Sequence, residues 1–247
     1  MNEKIQKILA NAGYGSRRYI ENMIRSELIF VNGDQIKIGQ RFSIRNIKFL
    51  TINKNSFIFN KKKKSRILIY YKPEGYICSQ SDPKKRNTVF DTLPVLNNNK
   101  WIMIGRLDLN SCGLLLFTTD GELAYRLMHP KFKIIRKYAV RVFGYIDDKK
   151  INQLKLGVYL KDGYAVFNSI ECKSNNTKNK WFIVSLIEGR NREVRRIWET
   201  VQVQVNKLIR ISYANIILPK NLSPGSWKYL KGTVVKNLYN LIQLKYN

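Results

Sequence analysis

The 247-residue chain carries 45 Lys and Arg against 17 Asp and Glu, a formal net charge of +28. With 44% hydrophobic and 12% aromatic residues it has enough apolar material for a sizeable core, which excludes disorder throughout. Self-repulsion on this scale is relieved by a polyanion, so nucleic acid or an anionic membrane surface fits and a small acidic metabolite does not require it. No apolar run is long enough to span a membrane. The first residues, MNEKIQKILANAG, lack the apolar stretch of a signal peptide, and the expected compartment is the cytoplasm. Cys78, Cys112 and Cys172 form no C-x-x-C pair, so buried reduced thiols are expected rather than a disulfide framework or a zinc site. The single histidine, His129, argues against a His-based metal site or a Ser–His–Asp triad.

Ile5, Ile8, Leu9 and Ala12 recur at helical spacing and predict a helix over 3–11. Gly13-Tyr14-Gly15 breaks it, and Ser16 is placed to cap a second helix with Ile20, Met23 and Ile24 on its apolar face. Arg17 and Arg18 then fall in the first turn, where the helix dipole disfavours cations. Either a function needs them there or they are a solvated pair. Leu28–Val31 predicts a short strand, Asn32-Gly33 a tight turn, Ile36–Ile38 its return, and Ile44 to Phe59 further short strands. Lys61-Lys62-Lys63-Lys64-Ser65-Arg66 reads as a solvated linker, with phosphate contact as the alternative.

Beyond this boundary Ile67–Tyr71, Trp101–Ile104 and Leu114–Thr118 predict apolar strands, and Lys72-Pro73-Glu74-Gly75 a turn. Asp120 caps a predicted helix that runs to about Met128 and stops at Pro130. Tyr138–Val142 and Trp181–Ile187 predict two more strands. Strands dominate and helices are interspersed irregularly, which predicts an α+β fold rather than a βαβ series.

Three features bear on chemistry. Asp108 lies in a polar loop between Gly105 and Gly113, itself between two apolar strands. A loop aspartate is commonly a turn former. With no usable histidine, and Cys112 flanked by no obvious base, a carboxylate is also the most plausible nucleophile in the chain. Arg106, two residues earlier, is placed to contact a phosphate or prop a base. Second, at about 100° per residue Val194, Ile197, Trp198 and Val201 share one face of a predicted helix. Arg192, Arg195, Arg196 and Glu199 then fall on the other face, either as a solvated surface with an Arg195–Glu199 pair or as a guanidinium cluster facing an anion. Third, Tyr138 is either a core-strand residue or a platform for a nucleobase. His129, before Pro130 at a helix end, reads as structural.

Gly105-Arg106-Leu107-Asp108 with Gly113–Gly121 resembles the catalytic motif of the RsuA family of ribosomal RNA pseudouridine synthases. Lys72-Pro73-Glu74-Gly75, Arg136-Lys137-Tyr138 and Glu188–Arg196 resemble three further motifs of that family, and residues 1–60 resemble an S4-type RNA-binding domain. Thr88–Asp91 and Arg126–Pro130 are most similar to the branch that acts on large-subunit RNA. Ser111 stands where the family usually has Thr, Glu27 where it has Gly, and Lys85 and Asn87 where Gly and Pro are common.

The resemblance implies an S4-like domain over 1–60, a basic linker over 61–66, and a catalytic domain over 67–247 built on a mixed, mostly antiparallel sheet with flanking helices. It implies isomerisation of a uridine in large-subunit (23S) ribosomal RNA, or in an assembly intermediate, with no cofactor and no metal. Asp108 is then the nucleophile, at C1′ or C6; Arg195 pairs with it; Tyr138 stacks on the target base. Arg106, Arg192 and Arg196 contact the RNA around the target, and Arg17 and Arg18 grip its backbone. A monomer without membrane contact is expected. The other readings are a small-subunit synthase of the same family and a non-catalytic ribosome-assembly protein. A methyltransferase would want a cofactor-binding glycine loop after a strand, which the chain lacks.

Overall fold

The computed structural model describes residues 2–12, 14–58, 65–96, 100–173, 179–244 and 246. Gly13 of the predicted helix break and Lys61–Lys64 of the predicted linker lie outside them. The chain begins with β1 (Asn2–Lys4), α1 (Ile5–Asn11) and α2 (Arg17–Arg25). There follow β2 (Ile29–Val31), β3 (Asp34–Gln35), β4 (Arg41–Ser43), a 3-10 turn over Ile44–Asn46, β5 (Phe49–Ile52) and β6 (Asn55–Ile58). The first helix thus starts two residues later than predicted. Asn2, Glu3 and Lys4 offer no apolar face, and as an extended segment they pair with β4 instead. Ser16 caps α2 as expected, its hydroxyl accepting from Tyr19 N at 3.1 Å. The turn is also where the sequence predicts it: Asn32 and Gly33 have φ of 54° and 95°, which joins Val31 directly to Asp34. The return strand is therefore Asp34–Gln35 and not Ile36–Ile38. Ile36 leaves the ladder and enters a core made by Ile5, Leu9, Ile20, Ile29 and Leu50.

The remaining strands are β7 (Ile67–Lys72), β8 (Ile102–Ile104), β9 (Cys112–Thr118), β10 (Arg136–Phe143), β11 (Val158–Leu160), β12 (Gly163–Ala165), β13 (Ser169–Cys172), β14 (Asn179–Leu186), β15 (Gln204–Tyr213), β16 (Ile216–Ile217) and β17 (Trp227–Tyr229). The helices are α3 (Gly121–Met128), α4 (Asp148–Leu156), α5 (Glu193–Glu199) and α6 (Thr233–Leu241). Among the described residues, nine strands form one sheet in the order β13-β14-β10-β15-β9-β7-β17, with β16 on β15 and β8 on β9. Every pairing is antiparallel except β15 with β9. The fold is α+β, as the irregular strand pattern predicts.

β9 shows why its sequence reads as an unbroken apolar run. Leu114 and Leu116 enter one core with α3 and α6, while Leu115 and Phe117 enter another with Tyr70, Val89 and Trp101. A strand covered on both faces has no reason to alternate. A third core, built on Trp198, Phe182 and Val140, sits between the sheet and α4 and α5. Gly113 stands where the parallel pair brings two backbones together. A Cβ there would meet the Arg210 carbonyl oxygen at 2.4 Å, and its φ is 104°. No helix among the described residues is long and apolar enough to cross a membrane.

Candidate active site

The loop from Gly105 to Gly113 leaves β8 and enters β9. Leu107 turns into the core beside Tyr138, and its N–H donates to Cys78 Sγ at 3.3 Å. Asp108 is left half-buried on the wall of a cleft. Each of the four carbonyls from 108 to 111 accepts a hydrogen bond. Ser111 N donates to Asp108 O (3.1 Å) and Gly75 N to Leu109 O (2.9 Å). Lys72 Nζ donates to Ser111 O (2.8 Å), to Pro73 O (2.9 Å) and more weakly to Leu109 O (3.3 Å). Arg195 Nη2 donates to Asn110 O at 2.9 Å. The backbone that carries Asp108 is thereby held from β7, from the turn after it and from α5.

Lys72 is fully buried, and burial pushes its ammonium below the ordinary lysine value. The sequence predicts Lys72-Pro73-Glu74-Gly75 as a turn and as a motif of the resembled family, with no role for the lysine. The lysine instead ends β7 and uses its whole donor set on carbonyls. A lysine closing an apolar strand was the available signal.

Arg192, Arg195 and Arg196 do not share one polar face. Arg192 precedes the helix in a left-handed conformation (φ 50°), is exposed, and stands 3.9 Å from Glu199. Arg196 makes a two-pronged bond to Asp162, at 2.7 and 2.8 Å, and does not line the cleft. Arg195 is buried and bonds to Val205 O (2.7 Å) as well as Asn110 O. It makes no ion pair with Asp108 or Glu199 among the described residues, so the expected direct pairing with Asp108 is not formed. On a helical wheel Arg195 lies about 60° from Trp198, at the margin of the apolar face, and the helix begins only at Glu193. Burial pushes the Arg195 guanidinium down, Arg192 adds to this, and Asp108 and Glu74 pull the other way. Asp108 thus acts on Arg195 through the field and through the loop backbone, not by contact.

Tyr138 is a core-strand residue, packed with Leu107, and it also lines the cleft. Arg106 is exposed at the cleft, whereas Arg17 and Arg18 are exposed on α2, away from it. His129 is a turn residue, its Nδ1 accepting from Lys131 N at 3.3 Å. Of the three thiols only Cys112 is buried; Cys78 is half-buried and Cys172 exposed, against the expectation of buried sulfur throughout.

The cleft has a volume of about 700 Å³. Its walls carry Arg86, Arg106, Arg136, Arg190, Arg192 and Arg210 against only Asp108 and Glu193 as carboxylates. Glu193 is bonded to Arg190 at 3.1 Å, so Asp108 is the carboxylate without an ion pair among them. Arg136 and Arg210 were not read as site residues from chemistry. Both lie on strands in the inward-facing phase, and an arginine in that phase is the signal that could have found them. Among the described residues no three His, Cys, Asp or Glu side chains group to hold a metal ion. The arrangement suits a carboxylate attacking a carbon of a bound polyanion beside an aromatic ring.

The family model described as RNA pseudouridylate synthase matches residues 66–200. The chain is 58% identical over 229 residues to a protein of Buchnera aphidicola subsp. Baizongia pistaciae named ribosomal large subunit pseudouridine synthase B, covering 92% of this chain and 93% of that protein. It is 49% identical over 248 residues to the protein of the same name from Escherichia coli strain K12, covering 99% of this chain and 84% of that one. The fold is similar to that of a crystal structure of a pseudouridylate synthase, with a TM-score of 0.66 at 20% identity, over 96% of this chain and 99% of the other. With the family's motif on the Asp108 loop, and relatives this similar across nearly their whole length, the chain belongs to the RNA pseudouridylate synthase family.

Proposed function

We propose that this chain converts a uridine of large-subunit ribosomal RNA to pseudouridine, with Asp108 as the nucleophile. The N1–C1′ bond breaks, the uracil turns over, and C5 bonds to C1′. The C5 proton is lost and N1 gains one, so no electron or group enters and no co-substrate is required. The single observation that carries the reading is the Asp108 loop. Its four consecutive carbonyls are all bonded, so the carboxylate is presented to a cationic cleft without local reorganisation. The names of the relatives support the large-subunit assignment.

In this reading the target nucleotide leaves its helix and its base stacks on Tyr138. Arg106 and Arg192 flank the extruded nucleotide, and Arg195 is a positioning residue that acts through Asn110. Arg196 binds Asp162 and is scaffold rather than an RNA contact. Residues 1–60 act as an S4-like RNA-binding domain, which their separate core supports. Arg17 and Arg18 on α2 grip RNA backbone without reading sequence. The partner is the ribosomal RNA or its assembly intermediate, met by a monomer in the cytoplasm.

Asp108→Asn tests the assignment. Pseudouridine in ribosomal RNA, mapped after incubation with each protein, is expected to be absent with the variant. RNA affinity stays close to wild type, because one charge hardly alters a field set by 45 cations. Normal product formation by Asp108→Asn removes the nucleophile assignment.

A further inference from the structure

Arg136 and Arg210 are only 8% and 2% exposed, yet neither has a carboxylate at ion-pairing distance among the described residues. Both line the cleft that holds Asp108 and Tyr138. β10 and β15 pair so that Arg136 stands opposite Tyr213 and Tyr138 opposite Arg210. The two guanidiniums lie 5.0 and 5.1 Å from the centroid of the Tyr213 ring. Arg136 is committed: Nη1 donates to Ile187 O, and Nη2 to the Tyr213 hydroxyl at 3.2 Å. That hydroxyl donates onward to Leu127 O at 2.8 Å. Arg210 is not committed. Its one hydrogen bond among the described residues runs from Nε to Leu114 O at 2.7 Å, and its Nη2 is buried without an acceptor.

A buried cation without a counter-charge is unfavourable, and a buried donor without an acceptor adds to the penalty. The ring of Tyr213 offsets only part of this. An anion entering the cleft reverses the balance, and the guanidinium fork matches the oxygens of a phosphate. A uridine within an RNA chain carries a phosphate on each side of its sugar. A nucleotide with its base on Tyr138 therefore brings phosphate into the same cleft.

We infer that Arg210, backed by Arg136 across Tyr213, forms a phosphate-binding subsite that takes a phosphodiester flanking the target nucleotide. The inference rests on reading the cleft as the nucleotide site. A uracil carbonyl is the competing occupant, but it is neutral and leaves both cations uncompensated.

The test is equilibrium binding to the full chain at constant ionic strength. The probes are uridine, uridine 3′-monophosphate, uridine 5′-monophosphate and inorganic phosphate, and the proteins are wild type, Arg210→Lys and Arg210→Gln. One of the two monophosphates is expected to bind wild type about tenfold or more tightly than uridine. Arg210→Lys narrows that preference several-fold, Arg210→Gln erases it, and the affinity for uridine itself is unchanged in both. A wild type that binds uridine as tightly as both monophosphates overturns the subsite. So does a preference that survives in both variants, or a parallel loss of uridine and monophosphate binding, which would place Arg210 on the base. Inorganic phosphate that binds more tightly than either monophosphate would make this a free-anion site and equally overturn it. Should Arg210→Gln not fold, Arg210→Lys decides alone. The readout is independent of turnover: a wild type that binds neither uridine nor monophosphate fails the nucleotide reading and the subsite with it, whereas intact uridine binding without a monophosphate preference fails the subsite alone.

Discussion

Lys72 and Arg195 both direct their positive charge at backbone carbonyls of the Asp108 loop rather than at the carboxylate. That separates two requirements. Asp108 stays without an ion-pair partner among the described residues, while its backbone is held from β7 and from α5. Lys72→Met leaves Ser111 O without its donor and frees the loop on the β7 side. A displacement of order 1 Å at a reacting group costs about a hundredfold in rate. The single-turnover rate of Lys72→Met on ribosomal RNA is therefore expected to fall about that far, with RNA affinity retained. A near-normal rate would mean that Gly75 and Arg195 hold the loop without the lysine. At this scale the sequence motifs were enough to single out Asp108 and Tyr138, which line one cleft. The commitment of Arg195 to carbonyls was not, because it depends on Val205 and Asn110, which only the fold brings near. Two departures were readable as departures and turn out to have a conformational meaning. Glu27 and Lys85, which stand where glycine is usual, have φ of 56° and 52°. L-residues enter that left-handed region at a cost of about 1–2 kcal/mol.

Among the elements, α5 and the β11–β12 hairpin form one unit. Asp162, in the hairpin turn, accepts both prongs of Arg196 and a bond from Arg190. Arg190 also donates to Tyr164 O at 2.6 Å and reaches Glu193. Arg190 lines the cleft, so the hairpin braces the cleft wall from behind. Asp162→Ala leaves both arginines without their shared carboxylate. Amide exchange over residues 158–165 is expected to quicken, with protection in β9 and β10 unchanged. Unchanged protection of the hairpin would show that Arg190's carbonyl bonds suffice. The hairpin was not read from sequence, since Val158–Leu160 and Gly163–Ala165 are too short to show a period. β9 was legible over Leu114–Thr118 because a strand buried on both faces is written as an unbroken apolar run; Cys112 and Gly113 extend it.

At the scale of the whole molecule, the N-terminal unit meets the large sheet's side of the chain where α3 begins. Lys7 on α1 bonds Glu122 at 2.8 Å, and Glu122 also accepts from Arg126 at 3.0 Å. Gly121 leaves no room for a side chain beside Asn11, because a Cβ there would sit 2.2 Å from Asn11 Oδ1. α3 runs from this contact to Met128 on the cleft wall, so the docking relates Arg17 and Arg18 to the site. Burial alone would raise the Glu122 carboxyl, but the hydrogen bonds from Lys7 and Arg126 outweigh it and hold the group below its ordinary 4.5. Burial likewise lowers Lys7, and the bonds to Glu122 and Glu3 more than reverse this, lifting it above its ordinary 10.5. A carboxylate depressed on folding stabilises fully above its unfolded value and loses that contribution as pH falls through the folded one; a raised lysine does so below its unfolded value and loses it as pH rises through the folded one. The contact is therefore at full strength between 4.5 and 10.5. Glu122→Gln removes the acid-side dependence. Melting temperatures of wild type and Glu122→Gln, measured across pH, are expected to differ by a constant margin in the neutral range. The margin closes as the solution is acidified below 4.5, where wild-type Glu122 takes up its proton. A margin that persists unchanged into acid would mean that the carboxylate charge does not hold the two parts of the chain together, and that the close fit of Asn11 on Gly121 does.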